Sequence, residues 1–162
     1  MSIDTKHEQA PFVDYFGNTV EVDLPLVCML EELLRLGVRT DYSCQDTRGQ
    51  AYFLATAKTI WPVFKYMYKL HKKGAYTVSS RKMIKCFLRG SKCFNVHAFG
   101  RQSMGFDFEF KTDAKQGSRR YSLEYSINTH HGFRVTVRFP TTEISRMTQL
   151  VKETADYWAS QK

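Results

Sequence analysis

The sequence predicts an α+β domain of two layers, a mainly antiparallel sheet with a C-terminal three-strand meander covered by three helices. Three observations lead there. Apolar residues recur at helical spacing in Leu26, Leu30, Leu33 and Leu34, in Val63, Met67 and Leu70, and in Ile144, Met147, Val151, Ala155 and Trp158. Three later segments alternate instead: Phe106, Phe108, Phe110; Tyr121, Leu123, Tyr125, Ile127; and Phe133, Val135, Val137, Phe139, each with polar residues between. That period of two predicts a meander with one wet face. Finally, 162 residues with no internal repeat and no linker suit one core, residues 1–162 as a single domain. A sheet with an apolar face needs cover, and amphipathic helices provide it.

Each element has a local reason. Residues 1–10 are polar and expected to be flexible. Residues 12–16 and 19–22 flank Gly17-Asn18, a pair that tolerates positive φ, so a hairpin is expected. Asp23 stands where an N-cap belongs and Pro25 falls in a first helical turn, giving a helix over 24–36 that Gly37 ends. Residues 38–43 and 50–56 read as paired strands. A five-residue turn from Gln45 to Gly49 joins them, with the Asp46 side chain bonding its own backbone. Thr59 is placed to cap a second helix with Pro62 in its first turn and Gly74 at its end. Residues 82–89 mix both periods and lean toward strand, and residues 93–99 read as another. Pro140 stops the last strand, and Thr141 or Thr142 caps the final helix.

The net charge of +8 is unevenly placed. Residues 1–46 carry nine acids and three bases, residues 47–106 twelve bases and no acid, and residues 107–162 nine bases and seven acids. A sixty-residue basic run repels itself unless it meets the acidic part of the chain or an external anion. No run approaches the roughly 18 apolar residues of a membrane helix. The N-terminal residues have no basic and apolar succession of a secretory signal. Cys28, Cys44, Cys86 and Cys93 are scattered, as expected for reduced thiols in a cytosol. Cys86 and Cys93, with His71 and His97, fit no common zinc spacing, so neither a metal nor another cofactor is expected. His130-His131 reads as an exposed turn before Gly132. There is no P-loop, no G-x-G-x-x-G and no H-E-x-x-H.

Two groups of residues could carry function. The first is basic: Arg48, Lys69, Lys72, Lys73, Arg81, Lys82, Lys85, Arg89, Lys92 and Arg101, with aromatics such as Tyr76, Phe87, Phe94 and Phe99 between them. Cations interleaved with aromatics suit phosphate contacts and base stacking. Without a helix-turn-helix, zinc finger or RNP signature, such binding would rest on the backbone. The second is a possible pocket at Thr40, Tyr42, Ser43, Cys44, Gln45 and Asp46, the densest set of small polar groups in the chain. Ser43-Cys44 fits a buried pair that fixes the turn. The alternative is a nucleophilic thiol, with Cys44 activated by a base such as His97.

The run G-V-R-T-D-Y-S-C-Q-D followed by G-Q-A-Y-F-L, after a leucine-rich helix, resembles a pattern in small uncharacterised phage and prophage proteins. There a helix ends in glycine, followed by T-x-x-S-C-Q-[GD] and G-x-A-Y-I. The matching positions are Gly37, Thr40, Ser43, Cys44, Gln45, Asp46, Gly49, Ala51 and Tyr52, within residues 22–56. Asp46 stands where glycine is common. The resemblance implies a phage accessory protein and imports no activity. The expectation is therefore a non-enzymatic phage protein in the cytoplasm of a bacterial host. It would bind nucleic acid or the acidic or nucleoprotein surface of a host complex, as an inhibitor of host defence would, with no membrane partner. The alternative is a small enzyme or nucleotide-binding protein with its pocket at Tyr42 to Asp46.

Overall fold

The computed structural model describes residues 7–90, 121–128 and 132–161. The strands expected at 93–99 and 106–110 lie outside them, as do His97 and His130-His131. The fold is α+β with antiparallel sheets.

Strands β1 (Gln9–Val13) and β2 (Thr19–Asp23) form a first hairpin, but β1 lies at 9–13 and not 12–16, so residues 14–18 make the turn and the register runs from Gln9↔Asp23 to Val13↔Thr19. The Asp14 carboxylate closes its turn by accepting the N–H groups of Phe16 and Asn18, each at 2.9 Å. The hairpin thus begins within the stretch expected to be flexible. A 3-10 turn, Leu24–Leu26, leads into α1 (Val27–Arg35), which buries Met29, Leu30 and Leu33. Asp23 precedes it in extended conformation, but its carboxylate does not cap the helix. Gly37 ends the helix as expected: at φ +83° it lets Val38 N–H reach the Leu33 carbonyl at 3.0 Å.

Strand β3 (Thr40–Thr47) runs four residues further than expected and pairs with β4 (Gln50–Thr56). The turn is two residues, not five. Arg48 and Gly49 both have positive φ, the form whose twist matches a hairpin. Asp46 does bond locally, its Oδ1 accepting Gly49 N–H at 2.8 Å. The β3 register slips between Thr40 and Tyr42 and again between Cys44 and Thr47, so the strand carries two bulges.

Helix α2 (Ala57–Lys73) starts two residues before Thr59, and Pro62 lies inside it. The Thr59 hydroxyl meets Thr56 Oγ1 at 2.6 Å and accepts the Arg39 N–H at 2.9 Å, so it ties β3 to the helix start without capping it. Residues 82–89 are not a strand. They belong to α3 (Val78–Gly90), whose Ser80, Met83, Ile84 and Phe87 are all buried, a stripe at i, i+3, i+4 and i+7. Strands β5 (Ser122–Asn128) and β6 (Gly132–Pro140) pair as expected for the end of the meander. β6 then pairs with β4 from Gln50↔Pro140 to Thr56↔Arg134. The order is β3-β4-β6-β5. After a second 3-10 turn, Thr141–Glu143, α4 (Ile144–Ser160) completes the described chain. Neither Thr141 nor Thr142 caps it by a side-chain bond; the Thr141 hydroxyl instead reaches the Gln45 carbonyl at 2.9 Å.

Ala51, Phe53 and Ala55 of β4, Leu123 of β5 and Val135, Val137 and Phe139 of β6 bury one sheet face. Among the described residues four helices, one more than expected, contribute to the same core through Leu30, Ile60, Ile84 and Leu150, among others. The extra cover is α3, which packs against α4 and β5. Trp158 is only partly buried, set edge-on to Tyr66 at 5.0 Å between ring centroids. No helix among the described residues is long and apolar enough to cross a membrane.

Candidate functional site

Two surfaces concentrate the residues singled out in the sequence. The first is built by α2 and α3. Lys69, Lys72 and Lys73 end α2 on its exposed side, where cations complement the negative end of the helix. Arg81, Lys82 and Lys85 lie on the exposed side of α3. His71 joins the two groups. Burial holds its pKa below the ordinary value, and the charges of Lys85 and Arg81 lower it further. Two cations of α3 thus act on an imidazole of α2. Lys72 also lies 5.7 Å from the centroid of the Tyr68 ring, over its face.

Helix α3 is held in this position at its start. Thr77 and Ser80 bond Glu153 of α4, which also takes an amide hydrogen from Gln149 at 2.9 Å. The remaining members of the basic set are elsewhere or undescribed. Arg48 occupies the β3–β4 turn, Arg89 lies in the last turn of α3, and Lys92 and Arg101 are outside the described residues.

The second surface is a cleft of about 300 Å³ between the first hairpin and the start of β3. Asp14, Glu21, Asp23 and Asp41 supply carboxylates to its lining, and Tyr15, Phe16 and Tyr42 supply exposed rings. Asp41 sits at the first bulge of β3, where the slip in register turns it toward Arg39 at 3.2 Å and the buried Arg134 at 2.5 Å. The Arg39 guanidinium lies 4.7 Å from the Phe16 ring centroid. Thr40, Tyr42 and Ser43 of the expected pocket line this cleft; Cys44, Gln45 and Asp46 do not. Cys44 instead turns to Thr47, its Sγ 3.2 Å from the hydroxyl.

Cys44 also stands beside His7 and Asp23, while His97, the base considered for it, lies outside the described residues. His7, Asp23 and Cys44 offer one donor atom each, and the three lie within 4.8 Å of one another. His7 Nδ1 is 2.9 Å from Asp23 Oδ2; Gln9 Nε2 donates to Oδ1 at 3.0 Å and Gln45 N–H to Oδ2 at 2.8 Å. Tyr52, opposite Cys44 in the register, has its pKa raised by burial and by the neighbouring Cys44, against Arg138 whose guanidinium lies 5.1 Å from its ring centroid. His7 is reached by a register that the Gly17-Asn18 turn does not predict. A turn at Gly17-Asn18 alone would pair residue 23 with residue 12; the longer turn over 14–18 shifts the register so that Asp23 pairs with Gln9, close to His7.

Comparison of the chain with protein-family models, curated proteins and solved structures finds no match.

Proposed function

We propose that the chain is a phage-encoded accessory protein that binds nucleic acid, free or within a host nucleoprotein complex, through the basic face of α2 and α3. The resemblance in residues 22–56 motivates the phage setting. The observation that carries the binding is the exposure of Lys69, Lys72 and Lys73 on α2 and of Arg81, Lys82 and Lys85 on α3, with no carboxylate in the whole run 47–106 to neutralise them.

Exposed lysines and arginines neutralise phosphates and release their counterions, so affinity falls with salt at a slope near −0.9 per phosphate contacted on duplex DNA. Tyr68, held under Lys72, offers a ring beside the charges. Such a face follows a backbone and does not read sequence. A host defence complex that carries its own nucleic acid is the partner class that unites the charge with the phage setting.

The experiment is a titration of labelled duplex DNA, single-stranded DNA and RNA across a salt series. Binding at low salt should weaken at least about tenfold toward moderate salt. Reversal of Lys69, Lys72, Arg81, Lys82 and Lys85 to Glu should abolish it with the fold intact, since exposed charges contribute little to stability. Cys44→Ala should leave binding unchanged. No binding to any of the three at low salt, or binding that survives the charge reversal, rejects the reading.

A further inference from the structure

We propose that His7, Asp23 and Cys44 form a binding site for a divalent cation of the zinc class. The donors come from three separated points of the chain: the residues before β1, the end of β2 and the stretch of β3 next to its second bulge. Hairpin pairing brings the first two together, and Gln45 N–H, which donates to Asp23, brings the third.

One imidazole nitrogen, one carboxylate oxygen and one thiol sulfur suit zinc or cobalt and not calcium or magnesium, which take oxygen alone. Ligand atoms about a tetrahedral zinc stand roughly 3.3–3.6 Å apart, given metal–ligand distances of about 2.0–2.3 Å. All pairs here are already within 4.8 Å. His7 Nδ1 and Asp23 Oδ2, at 2.9 Å, already stand slightly inside that spacing.

The carboxylate is prepared for such a role. Asp23 is 4% exposed, and among the described residues its only ion-pair partner is His7. Gln9 and the Gln45 backbone fix both of its oxygens, the outer hydrogen bonds that orient a ligating carboxylate. A cation would take the place of the His7–Asp23 hydrogen bond, with the imidazole hydrogen carried on Nε2 so that Nδ1 is free to bind. It would bind the imidazole in its neutral form and Cys44 as thiolate, with release of the thiol proton to solvent. Three protein donors leave a fourth position for water, the arrangement of an open site.

The test uses the full chain with cobalt(II), then zinc(II), as probes. Cobalt should bind at one per chain and give the near-ultraviolet charge-transfer band of a thiolate ligand. Zinc should displace it and raise the melting temperature. Cys44→Ala and His7→Ala should each abolish the band and the zinc-dependent rise, while the triple variant Cys28→Ser, Cys86→Ser, Cys93→Ser retains both. Circular dichroism of Cys44→Ala separates loss of the site from loss of the fold, since this half-exposed side chain contributes little to the core. Absence of cobalt uptake by the native chain, or a charge-transfer band that survives in Cys44→Ala and disappears in the triple variant, overturns the proposal.

Discussion

The Glu153 carboxylate of α4 takes both polar hydrogens of Thr77, the N–H on Oε1 at 3.1 Å and the hydroxyl on Oε2 at 2.8 Å. Thr77 immediately precedes α3, and its Oγ1 in turn accepts Ser80 N–H at 3.4 Å. A carboxylate at the start of a helix meets unpaired N–H groups and the positive end of the macrodipole. This one contact therefore starts α3 and docks it on α4, and through α3 it sets where Arg81, Lys82 and Lys85 stand.

Glu153→Ala should cost about 1–3 kcal/mol, the range for hydrogen bonds to a charged group. Glu153→Gln should cost less. Burial pushes the Glu153 pKa up, but the bonds from Thr77, Ser80 and Gln149 outweigh it, and the net shift is below 4.5. A depressed carboxylate pKa stabilises the fold above the unfolded pKa, and that stability is lost as pH falls through the folded one. The stability gap between wild type and Glu153→Gln should be full at neutral pH and shrink below about pH 4.5. Urea denaturation of both proteins across pH checks this; a gap independent of pH would remove the charge from the account.

The sheet face should dominate stability. Phe53 of β4 is 1% exposed and sits centrally, paired on one side with Ser43 and on the other with Val137. Phe53→Ala should cost about 3–5 kcal/mol. Trp158→Ala should cost less, because Trp158 lies at the margin of the core and its contact with Tyr66 is a single edge-on ring pair. Equal losses at the two sites in chemical denaturation would contradict this gradient.

The β3–β4 turn gives a local test. Arg48 holds φ +57° without being glycine, and Gly49 follows at +85°. A left-handed residue with a Cβ costs roughly 1–2 kcal/mol, and asparagine bears it better than arginine. Gly49→Ala should destabilise by about 1–2 kcal/mol although nothing lies within 4 Å of the added carbon. Arg48→Asn should raise the melting temperature. A lower melting temperature for Arg48→Asn would mean that the arginine side chain stabilises the turn more than its conformation costs.

Much of the architecture was legible because it rests on periodicity and on glycine. The leucines of α1, the glycines after α1 and α2, and the alternation in β5 and β6 each report a local cause that burial does not reverse. Residues 82–89 taken alone mix both periods and lean toward strand; the stripe that settles them as helix begins outside them, at Ser80. In the fold it is fully buried, its hydroxyl given to Glu153 at 2.9 Å, and only with it does the helical stripe become regular. Asp23, Thr59 and Thr141 sit at sequence positions suited to capping, yet their side chains bond Gln45 N–H, Arg39 N–H and the Gln45 carbonyl instead. Local spacing cannot rank a cap against a partner twenty or more residues away. The same holds for His7 and Cys44, which only pairing of the first hairpin and its approach to β3 bring within reach.

His71 offers a reporter for the proposed binding face. In the free protein burial and the nearby Lys85 and Arg81 lower its pKa from the ordinary 6.5. Folding then favours the neutral ring. The stability linked to it is full above pH 6.5, and it declines as pH falls from there toward the folded pKa, where the unfolded chain binds the proton first. A polyanion on the α2–α3 face would offset the charges of Lys85 and Arg81 and so raise the His71 pKa. Binding would then take up a proton and strengthen as pH drops through the same window, with His71→Gln removing this pH dependence but not the binding. The measurement is the imidazole titration of His71 by NMR with and without a short DNA duplex, together with affinity as a function of pH. A His71 pKa unmoved by saturating duplex would place the bound nucleic acid away from this face.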